Sequence, residues 1–453
     1  MIFLFKKLTN ASVALVQKYL PDAFIFAIIL TIITFVLSLA TTGQSVAALV
    51  AHWGNGIWSL LSFTMQMALV LVLGTAFANA PAVKRLLKTI ARVAKTPAQA
   101  IMLVSFVSAV ACWINWGFGL IVGALLAKEL ARNVRGVDYR LLIAAAYSGF
   151  VVWHGGISGS VPLTVASDPA NLAAVTLGQV TELIPVSKTI FSPLNLIVSW
   201  LIILTLPFIN RAMHPDPDKV VEIDPSLLKD EEVIETKDKS SRTPAEKLEN
   251  NAILSYLIVV AIAVYLVMHF AKNGFDLNLN IVNTIFLGLG ILFHKTPIRY
   301  VKAIEEAAKG SAGIILQFPF YAGIMGLMTG ANADGVSLAS QITNLFLSIS
   351  TKTTFPLFTF LSAGLVNIFV PSGGGQWAVQ GPIMMPASIP LGVDPAKTAI
   401  AIAWGDAWTN MIQPFWALPA LGLAGLSAKD IMGYCLIVLI YTGIIISLGF
   451  LLL

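Results

Sequence analysis

Residues 252–270 read AILSYLIVVAIAVYLVMHF, a run without a single Asp, Glu, Lys or Arg, and similar runs recur along the chain. About 20 consecutive apolar residues cross about 30 Å of hydrocarbon as helix. Helices satisfy their own backbone groups, so they suit that medium. Candidate spans are 22–41, 57–80, 139–165, 189–210, 252–270, 278–294, 311–331, 397–424 and 428–453. The expected fold class is an all-α polytopic membrane protein. Composition excludes the soluble enzyme: of 453 residues, 57% are hydrophobic and 11% charged, against about 25% charged in soluble domains. The net charge of +5 is read as Lys and Arg held on one side of the membrane, not as affinity for nucleic acid. Cys112 and Cys435 lie in apolar runs and read as packing residues. The N-terminal MIFLFKKLTN is followed by no small-residue cleavage site, so no removable signal peptide is expected.

Two further apolar stretches, 98–132 and 355–390, are split by CWINWGFG at 112–119 and by FVPSGGGQW at 369–377. Each half is short for a span, so each stretch reads as a re-entrant hairpin with its tip inside the membrane. A single kinked helix apiece is the alternative.

The halves repeat. Sliding the chain on itself by 256 matches Gly117, Gly119, Ala131, Gly136, Val137, Asp138, Ala145 and Gly149 with identical residues, without a gap. Charge is mirrored between the mates. Segment 81–95 carries Lys84, Arg85, Lys88, Arg92 and Lys95, whereas 337–351 carries no charge. Segment 128–140 holds Lys128, Arg132, Arg135 and Arg140, and 384–396 has no Lys or Arg. The pair 39–53 and 295–309 reverses this, with Lys295, Arg299, Lys302 and Lys309 in the second member. Lys and Arg beside spans stay cytoplasmic, so matching segments face opposite sides: an inverted-topology repeat with two opposed re-entrant hairpins and broken transmembrane helices. Residues 1–210 form the first repeat, 211–250 a cytoplasmic charged linker and 251–453 the second repeat. Lys6, Lys7 and Lys18 place the N-terminus inside, and the C-terminus ends outside. The linker is polar and reads as flexible.

Broken backbone at membrane depth is tolerated where it lines a cavity or is buried in protein. Asn115, Gly117 and Gly119 at the first tip, and Ser372, Gly373, Gly374, Gly375 and Gln376 at the second, are therefore candidates for one substrate-binding site. Free N–H groups at a helix start favour an anion, and glycine admits close approach. Tight packing of small residues is the alternative. A second broken element follows each hairpin: YSGFVVWHGGISGS at 147–160, and WGDAWTNMIQPFW at 404–416 with a break at Pro414. Asp406, Asn410 and Gln413 share one helical face. An acid without a nearby base at this depth is a functional candidate by default, so these three form a candidate coupling-ion site, for Na⁺ near Asp406 or for a proton. His154, Ser158, Trp116 and Trp377 are further candidates, as packing residues or as contacts of a bound molecule; Trp113, Trp404, Trp408 and Trp416 complete the aromatic set. No cofactor is expected.

Gly156, Ile157, Ser158 and Gly159 spell the GxSG of rhomboid intramembrane proteases, with His154 four residues away, so a serine protease is one alternative and an anion channel another. No HExxH or P-loop occurs.

At VPSGGGQWAVQGPIMMPAS (370–388), together with CWINWGFG, YSGFVVWHGG and WGDAWTNMIQPFW, the chain resembles the bacterial short-chain fatty acid transporter family, the acetoacetate and butyrate permeases of the ion transporter superfamily. The resemblance covers essentially the whole chain. It implies a multi-pass protein of the bacterial cytoplasmic (inner) membrane that takes up small monocarboxylates such as acetoacetate, butyrate or acetate; accumulating an anion in a cell that is negative inside then requires a coupling cation. Related families imply a moving transport domain and often a homodimer. The residues agree in substrate charge and size: 98–127 and 353–396 contain no Lys or Arg to neutralise an anion, which leaves helix starts, polar side chains and a co-bound cation.

Overall fold

The computed structural model describes residues 23–224, 242–274, 277–368, 370–413 and 416–453, and among these it contains helices and no strand. Lys6, Lys7 and Lys18, residues 225–241 of the charged linker and Pro414 lie outside the described residues.

The first half opens with α1 (Ala23–Thr42), α2 (Val46–Gly56), α3 (Leu61–Ala78) and α4 (Pro81–Ala91). Two arms, α5 (Pro97–Ile114) and α6 (Trp116–Asn133), lie side by side as the first hairpin. Next, α7 (Tyr139–Ser148) tightens into a 3₁₀ segment over Gly149–Gly155, breaks, and resumes as α8 (Ser160–Ser167), followed by α9 (Pro169–Val175) and α10 (Pro193–Ala212). Beyond α11 (Pro244–Glu249), the second half runs α12 (Ala252–Asn273), α13 (Leu279–His294), α14 (Pro297–Ala308), α15 (Ala312–Thr329) and α16 (Leu338–Ile349). The second hairpin is α17 (Phe355–Asn367) and α18 (Gly373–Ser388). Then come α19 (Pro395–Thr409), α20 (Ala417–Ala424) and α21 (Ala428–Leu452).

Every candidate span contains a helix, and 397–424 is two, as its broken pattern suggested. In each stretch two helical arms lie side by side, but those of the first are 18 residues each, and Pro97–Ile114 is long and apolar enough to cross a membrane, contrary to the short half expected; those of the second are 13 and 16. Both tips turn alike. Asn115 (φ −151°, ψ 121°) and Ser372 (φ −157°, ψ 120°) are extended N-caps whose side chains accept a backbone N–H of the following helix, which satisfies a donor that has no partner within that helix.

Interior and periphery separate cleanly. In the most apolar window of Tyr139–Ser167, 94% is buried, against 6% for Ala252–Asn273, so the broken span is core and α12 lies at the periphery. Close approach at the centre needs glycine once in particular: a Cβ at Gly149 would lie 2.5 Å from Ala109 N and 2.7 Å from Ser108 C, so only glycine lets the 3₁₀ segment rest on α5. The ends of α3 and α13 meet where His294 Nε2 lies 2.8 Å from Ala76 O. The ends of α1 and α15 meet through Gln44 Nε2 to Gly330 O (3.0 Å) and Asn332 Nδ2 to Thr42 O (2.8 Å).

The linker is not free along its whole length. Tyr139 N donates to Val221 O at 2.8 Å, Val221 N to Asp138 Oδ2 at 3.0 Å, and Asp138 N to His214 Nε2 at 3.3 Å. Asp138 is fully buried, and a buried carboxylate recruits whatever donors lie in reach, here the backbone of the linker's first residues.

Candidate functional site

The 3₁₀ segment of the first half and α19 of the second press together, and this brings His154 onto Asp406. His154 Nδ1 lies 2.8 Å from Asp406 Oδ2, and both side chains are fully buried. His154 Nε2 accepts the N–H of Val161 at 3.0 Å, which leaves Nδ1 as the protonated nitrogen that donates to the carboxylate. Trp153 stacks on the His154 ring (centroids 4.1 Å, 15°). Its Nε1 donates to Asn410 Oδ1 at 2.9 Å, and Tyr147 OH donates to Asn410 O at 2.8 Å. The carboxamide of Asn410 reaches on towards Asn367 Oδ1 at 3.5 Å, and Asn367 Nδ2 donates to Thr409 Oγ1 at 2.9 Å. Asn410 thus latches the broken spans together. Gln413 is buried three residues further on. Asp406 Oδ1 accepts no hydrogen bond among the described residues.

The second tip starts against this pair. A Cβ on Gly373 would stand 2.7 Å from His154 Cε1, 2.9 Å from Trp153 Cη2 and 3.0 Å from Ser160 Cβ. Gly374 is covered by the ring edges of Phe63 and Phe318, and Gly375 by Tyr321, whose Cδ2 lies 2.5 Å from an added Cβ. Ser372 Oγ accepts from Gly375 N at a long 3.4 Å. The N–H groups of Gly373 and Gly374 donate to nothing among the described residues. Gln376 donates to Ala363 O (2.9 Å) and Gln380 Oε1 (2.7 Å), and its Oε1 is unpartnered. Trp377 Nε1 donates to Asn171 Oδ1 at 2.8 Å, tying α18 to α9.

The first tip is closed by protein. Trp116 N donates to Ser158 Oγ at 3.0 Å and Phe118 N to Asn115 Oδ1 at 2.8 Å. A Cβ on Gly117 would stand 3.1 Å from the backbone of Leu71, and one on Gly119 would overlap Cys112. These two glycines are close-packing positions. Asn115 Nδ2 and Trp116 Nε1 are buried and unpartnered. The tips communicate through indoles: Trp116 packs edge-on against Trp416 at 5.0 Å, and Trp416 Nε1 donates to Pro371 O at 2.8 Å.

Ser158 is a helix cap in this structure. Both nitrogens of His154 are taken by Asp406 and Val161, so no serine–histidine pair forms and the protease alternative fails on geometry.

Asn195 escaped the sequence reading. Its Nδ2 donates to Gly155 O and Ile190 O, both at 2.7 Å, and its Oδ1 accepts from Trp404 Nε1 at 2.9 Å. The signal was present, since an asparagine inside the apolar run 189–210 is itself an intramembrane polar residue. No Lys or Arg is buried among the described residues, and no group of three His, Cys, Asp or Glu there could hold a metal.

Broken helices that meet at a buried acid and are enclosed by apolar spans fit the class of multi-pass membrane transporters. The chain belongs to the short-chain fatty acid transporter family, whose sequence profile matches residues 4–453. A relative from Escherichia coli (strain K12), named for short-chain fatty acid transport, is 48% identical over 434 residues, covering 96% of each chain. A Haemophilus influenzae relative with the same name is 46% identical over 436 residues, again 96% of each. The fold is similar to that in the crystal structure of the Alcanivorax borkumensis YdaH transporter, with TM-score 0.57 and 17% identity over 94% of this chain and 98% of that one.

Proposed function

We propose that this protein imports small monocarboxylates such as acetoacetate or butyrate across the bacterial inner membrane, together with a coupling cation and by alternating access. The observation that carries the reading is the start of α18, where among the described residues the N–H groups of Gly373 and Gly374 have no acceptor and Gly373 lies against His154 of the His154–Asp406 pair. A helix start of this kind attracts a carboxylate. The rings of Phe63, Phe318 and Tyr321 around it suit a short acyl chain. Of the two tips, the second is favoured as the anion site, because Ser158 and Asn115 already occupy the first.

Asp406 is the proposed coupling group. Its free Oδ1 supplies an acceptor for H⁺ or an oxygen ligand for Na⁺, and Asn410 serves to hold the spans together. A monocarboxylate entering a cell that is negative inside works against about 2.3 kcal/mol per charge per 100 mV, so accumulation requires a cation. Alternating access is attributed to the inverted repeat. Its support is that α3 and α13 end together, as do their proposed neighbours by symmetry, α15 and α1.

The test is uptake of radiolabelled butyrate into proteoliposomes with an imposed Na⁺ or pH gradient, followed by chemical analysis of the accumulated label. Unchanged butyrate accumulating under one gradient is expected; equilibration without accumulation under either gradient would defeat the coupled reading.

A further inference from the structure

We propose that the paired ends of α3 and α13 form a binding site for the phosphate of an anionic phospholipid headgroup. Each helix runs into a short amphipathic helix. On α4, the residues Val83, Leu87 and Ala91 turn inward, while Lys84, Arg85 and Lys88, with Arg92 and Lys95 just beyond, form its polar face. Lys295, Arg299 and Lys302 stand at and along α14, accompanied by Glu305 and by the ion-paired Glu306 and Lys309. Both short helices pack on α13, and α14 also packs on α3. Basic charge from the two repeats therefore gathers at one place: Lys84 and Arg299 both act electrostatically on His294, the residue that joins the ends of α3 and α13.

Within this wedge, two buried hydroxyls have no hydrogen-bond partner among the described residues. Tyr300, whose ring packs on His294 at 5.7 Å, is buried, and its OH is unpartnered; Thr296 Oγ1 is likewise buried and unpartnered. Thr296 is the N-cap of α14, but its side chain makes no capping bond, which leaves the first N–H groups of that 12-residue helix available. Hydroxyls, a helix start, a guanidinium and an ammonium match the several acceptor oxygens of a phosphate.

The surroundings decide between a lipid and free phosphate. Leu86, Val93 and Val301 are 57%, 70% and 47% exposed on the same two segments, and such residues belong in hydrocarbon just beneath headgroups. The repeat mates of these helices, α16 and α2, carry no Lys, Arg, Asp or Glu, so the site exists on one face only, the face that basic residues mark as cytoplasmic.

The test uses the purified full-length protein and native mass spectrometry, with phosphatidylglycerol, phosphatidylcholine and inorganic phosphate as probes. Retention of phosphatidylglycerol over phosphatidylcholine is expected. Lys84→Gln with Arg299→Gln should weaken it about twenty-five-fold, at about fivefold per charge removed. Thr296→Val with Tyr300→Phe, which keep shape and all charges, should weaken it severalfold without lowering the Tm measured free of added lipid. Lys352→Gln with Lys429→Gln removes equal charge from other exposed positions and should leave retention unchanged. Equal retention of both lipids, or wild-type retention by the hydroxyl variant, would overturn the site. Displacement of the lipid by millimolar inorganic phosphate would overturn its assignment to a lipid.

Discussion

His154 Nδ1 and Asp406 Oδ2 meet at 2.8 Å across 252 positions of sequence, one in each broken span. With Nε2 accepting the N–H of Val161, the imidazole donates to the carboxylate through Nδ1. Replacing His154 by Leu strips Asp406 of the one side-chain hydrogen bond it accepts among the described residues. The cost expected is about 1–3 kcal/mol for the unsatisfied group, seen as a lower Tm in detergent, together with loss of concentrative uptake.

Asp406→Asn preserves shape and removes the exchangeable charge. Gradient-driven accumulation of butyrate should vanish while exchange of internal for external butyrate persists. Under sodium coupling, the variant should lose sodium dependence or need far higher sodium; under proton coupling, it should lose its response to a pH gradient. Accumulation equal to wild type with the same ion dependence would move the coupling site elsewhere.

Gly374 is covered by Phe63 and Phe318, so a methyl group there meets ring carbons, with Phe318 Cε1 at 2.6 Å. Gly374→Ala should lower butyrate uptake about tenfold, a barrier change of about 1.4 kcal/mol. Adding Phe63→Ala should recover part of it by opening space. A double variant worse than either single one would show that the ring contact is not the cause.

Ser158 caps the first hairpin through Trp116 N. Ser158→Ala should cost about 1 kcal/mol of stability, the usual loss for a cap, and leave uptake within about twofold of wild type. Abolished uptake with unchanged stability would give the hydroxyl a direct role at the substrate.

Single cysteines at Lys88 on α4 and Ser340 on α16 test the inverted repeat. An impermeant thiol reagent should label them from opposite faces of the membrane, and labelling from one face would remove the inversion.

Much of this molecule was legible in one dimension. Apolar run lengths located the spans, because crossing hydrocarbon sets a length that sequence records directly. The broken tips announced themselves by glycine and polar residues in the middle of apolar stretches, and Asp406 by the rarity of acids there. Mirrored Lys and Arg suggested the repeat. The short helices α2, α4, α14 and α16 were missed because 11 or 12 residues leave no span-length signal, only a change of polarity.

Which polar groups remain free was decided by the tertiary structure alone. The two tips share a motif and an N-cap conformation, yet Ser158, 42 positions away, takes the N–H of Trp116, while among the described residues the N–H groups of Gly373 and Gly374 have no acceptor. Gly117 and Gly119 looked like Gly373 and Gly375 in sequence, but they lie against the backbone of Leu71 and against Cys112. The partner of Asp406 was equally hidden, although both residues of the pair stood out individually. Hydrogen bonds between distant positions depend on how helices rotate and pack against one another, and the chain writes down the donors and acceptors without recording which of them will meet.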